Sequence, residues 1–293
     1  MGLLPIYQEE EGRMMVRIGQ IDYANCTPIF ASLQGNFNCD DYTFIKGVPA
    51  ELNGMLSRGE IEVCPASSIE YGKFPGKYLL LPGISISSIG AVKSVLLFSR
   101  VPITELDRCR IALTTESETS VNLIRIILAK YYGFTNTFER SSLPVRDSLA
   151  HFSAMLLIGD AALKENLETH GLYVYDLGEL WLEFTGLPFV FALWMVTREA
   201  AERKPGEVRM LAERLHAAKQ CAYDTYEAIA ERCAEREWLG QSALVDYWRT
   251  ISYDLTPMHL RGVATFFRYA AELGLLAAEP DIRVFGDLPA NGN

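Results

Sequence analysis

Two nearly uninterrupted apolar runs, residues 91–100 (AVKSVLLFSR) and 189–197 (FVFALWMVT), constrain the fold of this chain more than any other feature. A strand with one face in water alternates apolar and polar side chains, so a run without that alternation reads as a strand buried on both faces. Between the runs, residues 109–113 read as a strand. Residues 119–132 read as a helix with Val121, Ile124, Leu128 and Tyr131 along one side, closed by Gly133. A strand at 137–140, a helix at 147–152 and a strand at 154–158 ending in Gly159-Asp160 follow. Before the first run lie strands at 16–21, 61–66 and 78–81, the last stopped by Pro82-Gly83, and a helix at 48–56. Strands alternating with helices predict a mainly parallel sheet.

The two runs bracket an αβ unit, which predicts one lobe inserted into another, with the runs as the crossings and a ligand cleft between the lobes. An unbroken three-layer sheet would give the same periodicity. The expected division is a leader at 1–14, a discontinuous first lobe at 15–98 plus 196–286, and an inserted second lobe at 99–195. The last part of the first lobe is helical. From Val208 an apolar stripe runs through 211, 215, 218, 222, 225/226, 229 and 233 as one continuous helix. Helices at 238–251 and 256–274 follow, the last begun by Thr256-Pro257 and stopped by Gly274. At 293 residues and 49% hydrophobic content the chain can bury a core large enough for two lobes.

Charge and cysteine usage exclude several classes of function. A formal net charge of −10 without a local run of cations opposes binding to nucleic acid or to an anionic membrane. No stretch reaches the ~18 apolar residues of a membrane span. The six cysteines form no C-x-x-C pair and the four histidines form no metal-ligand spacing, so free thiols and no zinc site are expected. Residues 2–6 are a short apolar run followed by Glu9, Glu10 and Glu11, which lacks the basic start, length and cleavage site of a signal peptide. A cytoplasmic protein, monomeric or homodimeric, is expected. No glycine-rich phosphate-binding motif is present, so neither a nicotinamide nor a nucleoside triphosphate is implied.

Four polar loops at strand ends are candidates for the site. The loop Tyr23-Ala24-Asn25-Cys26-Thr27-Pro28 offers an amide that can both donate and accept, or an ordinary turn asparagine. Ser85, Ser87 and Ser88, with Gly90, can surround an anion without formal charge, or can simply be solvated. Residues 114–120 (TTESETS) run into a helix start, where free N–H groups and the helix dipole favour a carboxylate. Thr115 with Glu118 also matches a capping box there, and Glu116 and Glu118 are expected to point outward. Asp160 at a strand end can act as a base or as a cap. These residues describe a cleft suited to a small polycarboxylate and do not by themselves give a reaction.

At the same loops the sequence resembles the chorismate dehydratase family of the futalosine-type menaquinone pathway. The matching segments are RIGQIDYANCTPIF (17–30), GVPAELNGMLSRGEIEVCPASSIEY (47–71), SISSIGAVKSVLLFS (85–99), TTESETSVNLIRIIL (114–128), LLIGDAAL (156–163), LGELWLEFTGLPFVFALW (177–194) and LRGVATFFRYAAELG (260–274). The resemblance implies a two-lobed α/β fold of the type II periplasmic-binding-protein kind. It implies loss of water from chorismate to give 3-[(1-carboxyvinyl)oxy]benzoate, with no metal or organic cofactor. Carried onto this chain, it implies that Asn25 participates at the departing hydroxyl and that Asp160 orients the substrate. Tyr23 would contact the substrate from the same loop as Asn25. Ser87 and Ser88 would hold one carboxylate, and Thr119 with Ser120 the other. The chain departs from the family in reading Tyr23-Ala24-Asn25 where relatives commonly read Tyr-Leu-Asn. A related lyase of the same pathway, which forms a dihydroxynaphthoate ring, typically carries Ser-Pro-Cys-Pro-Asn-Asp-Thr at this position and fits less well. A solute-binding or sensing protein without catalysis is the alternative from another class.

Overall fold

The computed structural model describes residues 15–168 and 171–286; the expected leader at 1–14 lies outside the described residues. The chain builds two five-stranded sheets of the same design. The first begins β1 (Val16–Ile21), α1 (Thr27–Asn36), β2 (Tyr42–Gly47), α2 (Pro49–Ser57), β3 (Val63–Ser67), α3 (Ser68–Lys73) and β4 (Tyr78–Ser88). The second comprises β5 (Val95–Ser99), β6 (Arg110–Leu113), α4 (Glu118–Ile126), β7 (Thr137–Arg140), α5 (Val145–Ser148), β8 (Ala154–Ile158), α6 (Gly159–Glu168) and β9 (Tyr173–Asp176). Helix α7 (Leu177–Thr185) then leads back to β10 (Phe189–Thr197) in the first sheet. Helices α8 (Arg198–Arg203), α9 (Pro205–Asp224), α10 (Tyr226–Ala230), α11 (Arg236–Leu239), α12 (Gln241–Trp248) and α13 (Pro257–Glu272) complete the described chain.

Strand order is β2-β1-β3-β10-β4 in one sheet and β7-β6-β8-β5-β9 in the other. The first three strands of each are parallel, while β10 and β5 run antiparallel to both of their neighbours. The sheets are therefore mixed rather than mainly parallel, because each receives one strand from across a lobe boundary. Sheet membership also sets the changeovers differently from a division at 98/99 and 195/196. β5 as a whole belongs to the second sheet and β10 as a whole to the first, so the chain passes between sheets in the segments 89–94 and 177–188. The apolar runs are the arrivals, not the crossings.

Burial accounts for their lack of alternation. In β5, Val95 and Leu97 join the main core, whereas Leu96 and Phe98 join a separate cluster with Val145, Leu149, Phe152 and Met155 on the other face. Both faces are dry, so neither tolerates a polar residue.

Two other differences arise from local backbone. β4 does not stop at Pro82-Gly83. Its register against β10 jumps from Ser85↔Leu193 to Leu80↔Met195, and the bulge ejects Pro82 toward solvent, with Gly83 at φ +69°. The stripe from Val208 breaks at Thr225, where φ −134° leaves the helical region and the hydroxyl donates to the Cys221 carbonyl at 2.6 Å. Helix α13 begins as its sequence predicts: Thr256 and His259 form a capping box, and Gly274 at φ +68° follows its end.

Candidate functional site

A narrow slot with about 50 Å³ of interior volume opens between the two sheets. One wall comes from the first sheet and its loops, through Tyr23, Asn25, Ser67, Ile86 and Phe191. The other comes from the second, through Ser117, Ser120, Ile158 and Gly159, with Val92 and Ser94 from the connector between them. Every lining residue is uncharged. Two wider surface grooves lie elsewhere, one at the start of β1 and one beside α9 and α10, and neither contains Asn25, Ser117 or Ser120.

Asn25 is held by its backbone neighbours from three directions. The Ala24 N–H donates to Asp160 Oδ1 at 3.1 Å, the Trp248 indole N–H donates to the Ala24 carbonyl at 2.7 Å, and the Tyr253 hydroxyl donates to the Asn25 carbonyl at 2.8 Å. The side-chain Oδ1 of Asn25 is buried and has no hydrogen-bond partner. A buried acceptor left unpaired costs about 1–3 kcal/mol, and a ligand hydroxyl would remove that cost.

Across the slot, α4 begins with Ser117 as its cap, at φ −139° and ψ 121°. Ser117 Oγ accepts the Ser120 N–H at 3.2 Å, and the two hydroxyls lie 3.2 Å apart. The cap is thus Ser117, not the expected Thr115 with Glu118. Glu118 faces outward into ion pairs with Lys73 and Arg140, as expected. Glu116 does not. Its carboxylate turns to the rim of the slot and accepts the Tyr23 hydroxyl at 2.6 Å. Burial, reinforced by the bond to Glu116 and its charge, holds the Tyr23 phenol well above its ordinary pKa, so it stays a donor. Gly159, at φ +59°, leaves room for the Tyr23 ring: a β-carbon there would meet ring atoms at 3.0 Å.

The remaining expected contacts fall away from the slot. Ser87 and Ser88 are fully buried within β4 rather than in a loop. Ile86 takes the slot-facing position, so by strand alternation Ser85 and Ser87 face the segment 252–254. Ser87 Oγ donates to the Ser252 carbonyl at 2.8 Å, and Ser88 Oγ donates to the Gly90 carbonyl at 2.8 Å. Thr119 is fully buried, and its hydroxyl accepts the Ile69 N–H at 3.1 Å, joining α4 to the start of α3 across the lobes. Asp160 does not line the slot; its carboxylate ties the Asn25 loop to α6. Burial raises its pKa, an effect partly opposed by the Ala24 N–H bond.

Two hydroxyls not singled out from the sequence line the slot instead, Ser67 and Ser94. Ser67 ends β3, with its N–H donating to Asn53 Oδ1 at 3.2 Å. Ser94 ends the connector just before β5, with its hydroxyl accepting from the Tyr247 phenol at 2.8 Å and its carbonyl accepting the Gly159 N–H at 2.7 Å. Ser94 sits directly before the doubly buried strand β5 and is itself buried, and a buried polar residue at a strand entry needs partners.

With this geometry in view, comparison with known proteins is specific. The family described as menaquinone biosynthesis matches residues 16–272. A chorismate dehydratase of Thermus thermophilus is 34% identical over 275 residues, covering 88% of this chain and 95% of that protein. Among solved structures, an Archaeoglobus fulgidus protein superimposes with a TM-score of 0.72 at 18% identity, over 91% of this chain and 100% of that one. The periplasmic aliphatic sulphonate-binding protein of Escherichia coli gives a TM-score of 0.66 at 14% identity, over 95% and 98%. The architecture is therefore that of the periplasmic-binding-protein-like α/β folds, two lobes with the slot between them.

Proposed function

From the premise that this chain belongs to the menaquinone biosynthesis family, we propose that it is a chorismate dehydratase, a hydro-lyase that converts chorismate to 3-[(1-carboxyvinyl)oxy]benzoate and water. The observation that carries the mechanism is the unpartnered Asn25 Oδ1, buried opposite the hydroxyl-rich start of α4 in a slot without charge.

The chemistry asks little of acids or bases. The ring C3–H bond breaks, its electrons complete the aromatic sextet, and the C4–O bond breaks. The proton and the hydroxyl leave as water. Aromatisation supplies the driving force, so the protein's task is to hold two carboxylates and align the breaking bonds. In our reading, Ser117, Ser120 and the free amides at the start of α4 grip one carboxylate. Ser67 and Ser94 grip the other, the part first expected of Ser87 and Ser88. Asn25 Oδ1 accepts the C4 hydroxyl proton in a hydrogen bond, and its amide N–H donates to the oxygen as it departs. The substrate's own enolpyruvyl carboxylate takes the C3 proton and passes it to the departing hydroxide, which leaves as water. Asp160 acts by fixing the loop that carries Asn25, and the reaction belongs to the futalosine route in the cytoplasm.

Incubating the purified protein with chorismate and following the aromatic product by absorbance and mass spectrometry tests this reading. Conversion is expected. Chorismate recovered unchanged from a folded protein would leave only a binding role.

A further inference from the structure

One carboxylate holds both connections between the lobes. Asp176 is the last residue of β9, and it caps α7 by accepting the Gly178 N–H at 2.8 Å and the Glu179 N–H at 3.3 Å through Oδ1. The same carboxylate reaches the other connector, where the Val92 N–H is shared between Oδ1 at 3.1 Å and Oδ2 at 3.0 Å, and Oδ2 accepts the Lys93 N–H at 2.6 Å. An ordinary helix cap needs only the first pair. The second pair joins segments 83 and 84 residues apart in sequence.

Independent features show the same closeness. Lys93 adopts φ 63°, a left-handed backbone that a lysine enters only at a cost and that turns its N–H into the carboxylate. A β-carbon on Gly178 would lie 2.5 Å from the Gly90 carbonyl and 2.7 Å from Ser88 Oγ, so only glycine lets the connectors touch. Just past this contact the first connector supplies Val92 and Ser94 to the slot, with Ser94 bonded to both lobes through Tyr247 and Gly159.

We propose that Asp176 is a positioning residue: its carboxylate clasps the two inter-lobe connectors into one hinge and thereby sets the register between the Asn25 wall and the Ser117–Ser120 wall of the slot. Loss of the clasp leaves each sheet intact and lets the walls drift apart. A substrate that must be gripped from both sides then binds only the fraction of molecules in register, and apparent affinity falls by that fraction.

Asp176→Ser separates the clasp from the cap, because serine caps α7 as well as aspartate does but is too short to reach Val92 and Lys93. Asp176→Asn keeps the size, the cap and the Val92 bond to Oδ1, but puts a donor in place of Oδ2, so it breaks the Lys93 arm of the clasp. For either variant we expect an unfolding midpoint near that of the parent and faster hydrogen exchange at Lys93, joined by Val92 in Asp176→Ser. The radius of gyration in small-angle scattering should rise, and KM for chorismate should rise about tenfold with a smaller change in kcat. The kinetic arm rests on the dehydratase reading; exchange and scattering do not. A parent enzyme inactive on chorismate would therefore overturn that reading alone. Parent-like exchange and scattering in both variants would reduce Asp176 to a helix cap and overturn the clasp.

Discussion

The loops that follow β1 and β6, each second in its sheet's strand order, occupy equivalent places and do opposite things with their polar groups. After β6, the chain satisfies itself: Ser117 caps α4, Ser120 bonds to Ser117, and Glu118 is ion-paired. After β1, α1 begins at Cys26 with no side-chain cap, and Asn25 keeps a buried carbonyl unpaired while its backbone is fixed from several sides. A rigid backbone under an unsatisfied side chain is an arrangement that costs stability and gains preorganisation. On the proposed mechanism, the contrast sets the reacting amide in the first lobe against the self-satisfied start of α4, which only grips a carboxylate, in the second.

The largest effect should come from Asn25. Asn25→Ala removes the group that meets the departing hydroxyl, and kcat should fall about 10²–10³-fold, the scale of losing one preorganised polar contact in a transition state. Urea unfolding should show stability unchanged or slightly raised, because the variant also deletes an unpaired buried carbonyl. Full turnover would break the comparison at its root. On the gripping side, Ser120→Ala should raise KM about tenfold, the worth of one hydrogen bond to a charged group, with kcat little changed. Its backbone N–H stays bonded to Ser117 Oγ, so α4 keeps its cap. A kcat loss as large as that of Asn25→Ala would mean that both walls react.

How far this contrast could be read from sequence depends on which side of a strand a residue faces. The two apolar runs mark the doubly buried strands, and the loops carrying Tyr23, Asn25 and Ser120 are visible as polar breaks beside them. Strands β2 and β9 are partly exposed edge strands whose side chains do not alternate cleanly, so they leave little trace. Ser87 and Ser88 mislead for a physical reason. Pro82-Gly83 reads as a strand stop, but the bulge there lets β4 continue, and the serines become strand residues whose facing follows from Ile86. Ser87→Ala makes this testable. It should cost about 1 kcal/mol in unfolding free energy, for the lost bond to the Ser252 carbonyl, and leave chorismate turnover at the parental rate. A rise in KM instead would return Ser87 to the slot.

The smallest effect, and the one that most sharpens the contrast, belongs to Asp160. Burial raises its folded pKa above the ordinary value of 3.8, with the Ala24 N–H bond opposing that rise. Below pH 3.8 the carboxyl is protonated whether the chain is folded or not, and its contribution to stability is fully present. As pH climbs toward the raised folded value, the native state holds the extra proton, so stability falls, and above that value the loss is complete. Asp160→Asn keeps an oxygen to accept the Ala24 N–H and never carries the charge. Thermal unfolding across pH should therefore find the variant at least as stable as the parent at neutral pH, with the advantage vanishing in acid below pH 3.8. Turnover should stay near parental, because the carboxylate fixes the Asn25 loop by a bond that the amide can also make. If activity instead collapsed while stability rose, the charge itself would be at work in the reaction, and the second lobe would be supplying chemistry as well as grip.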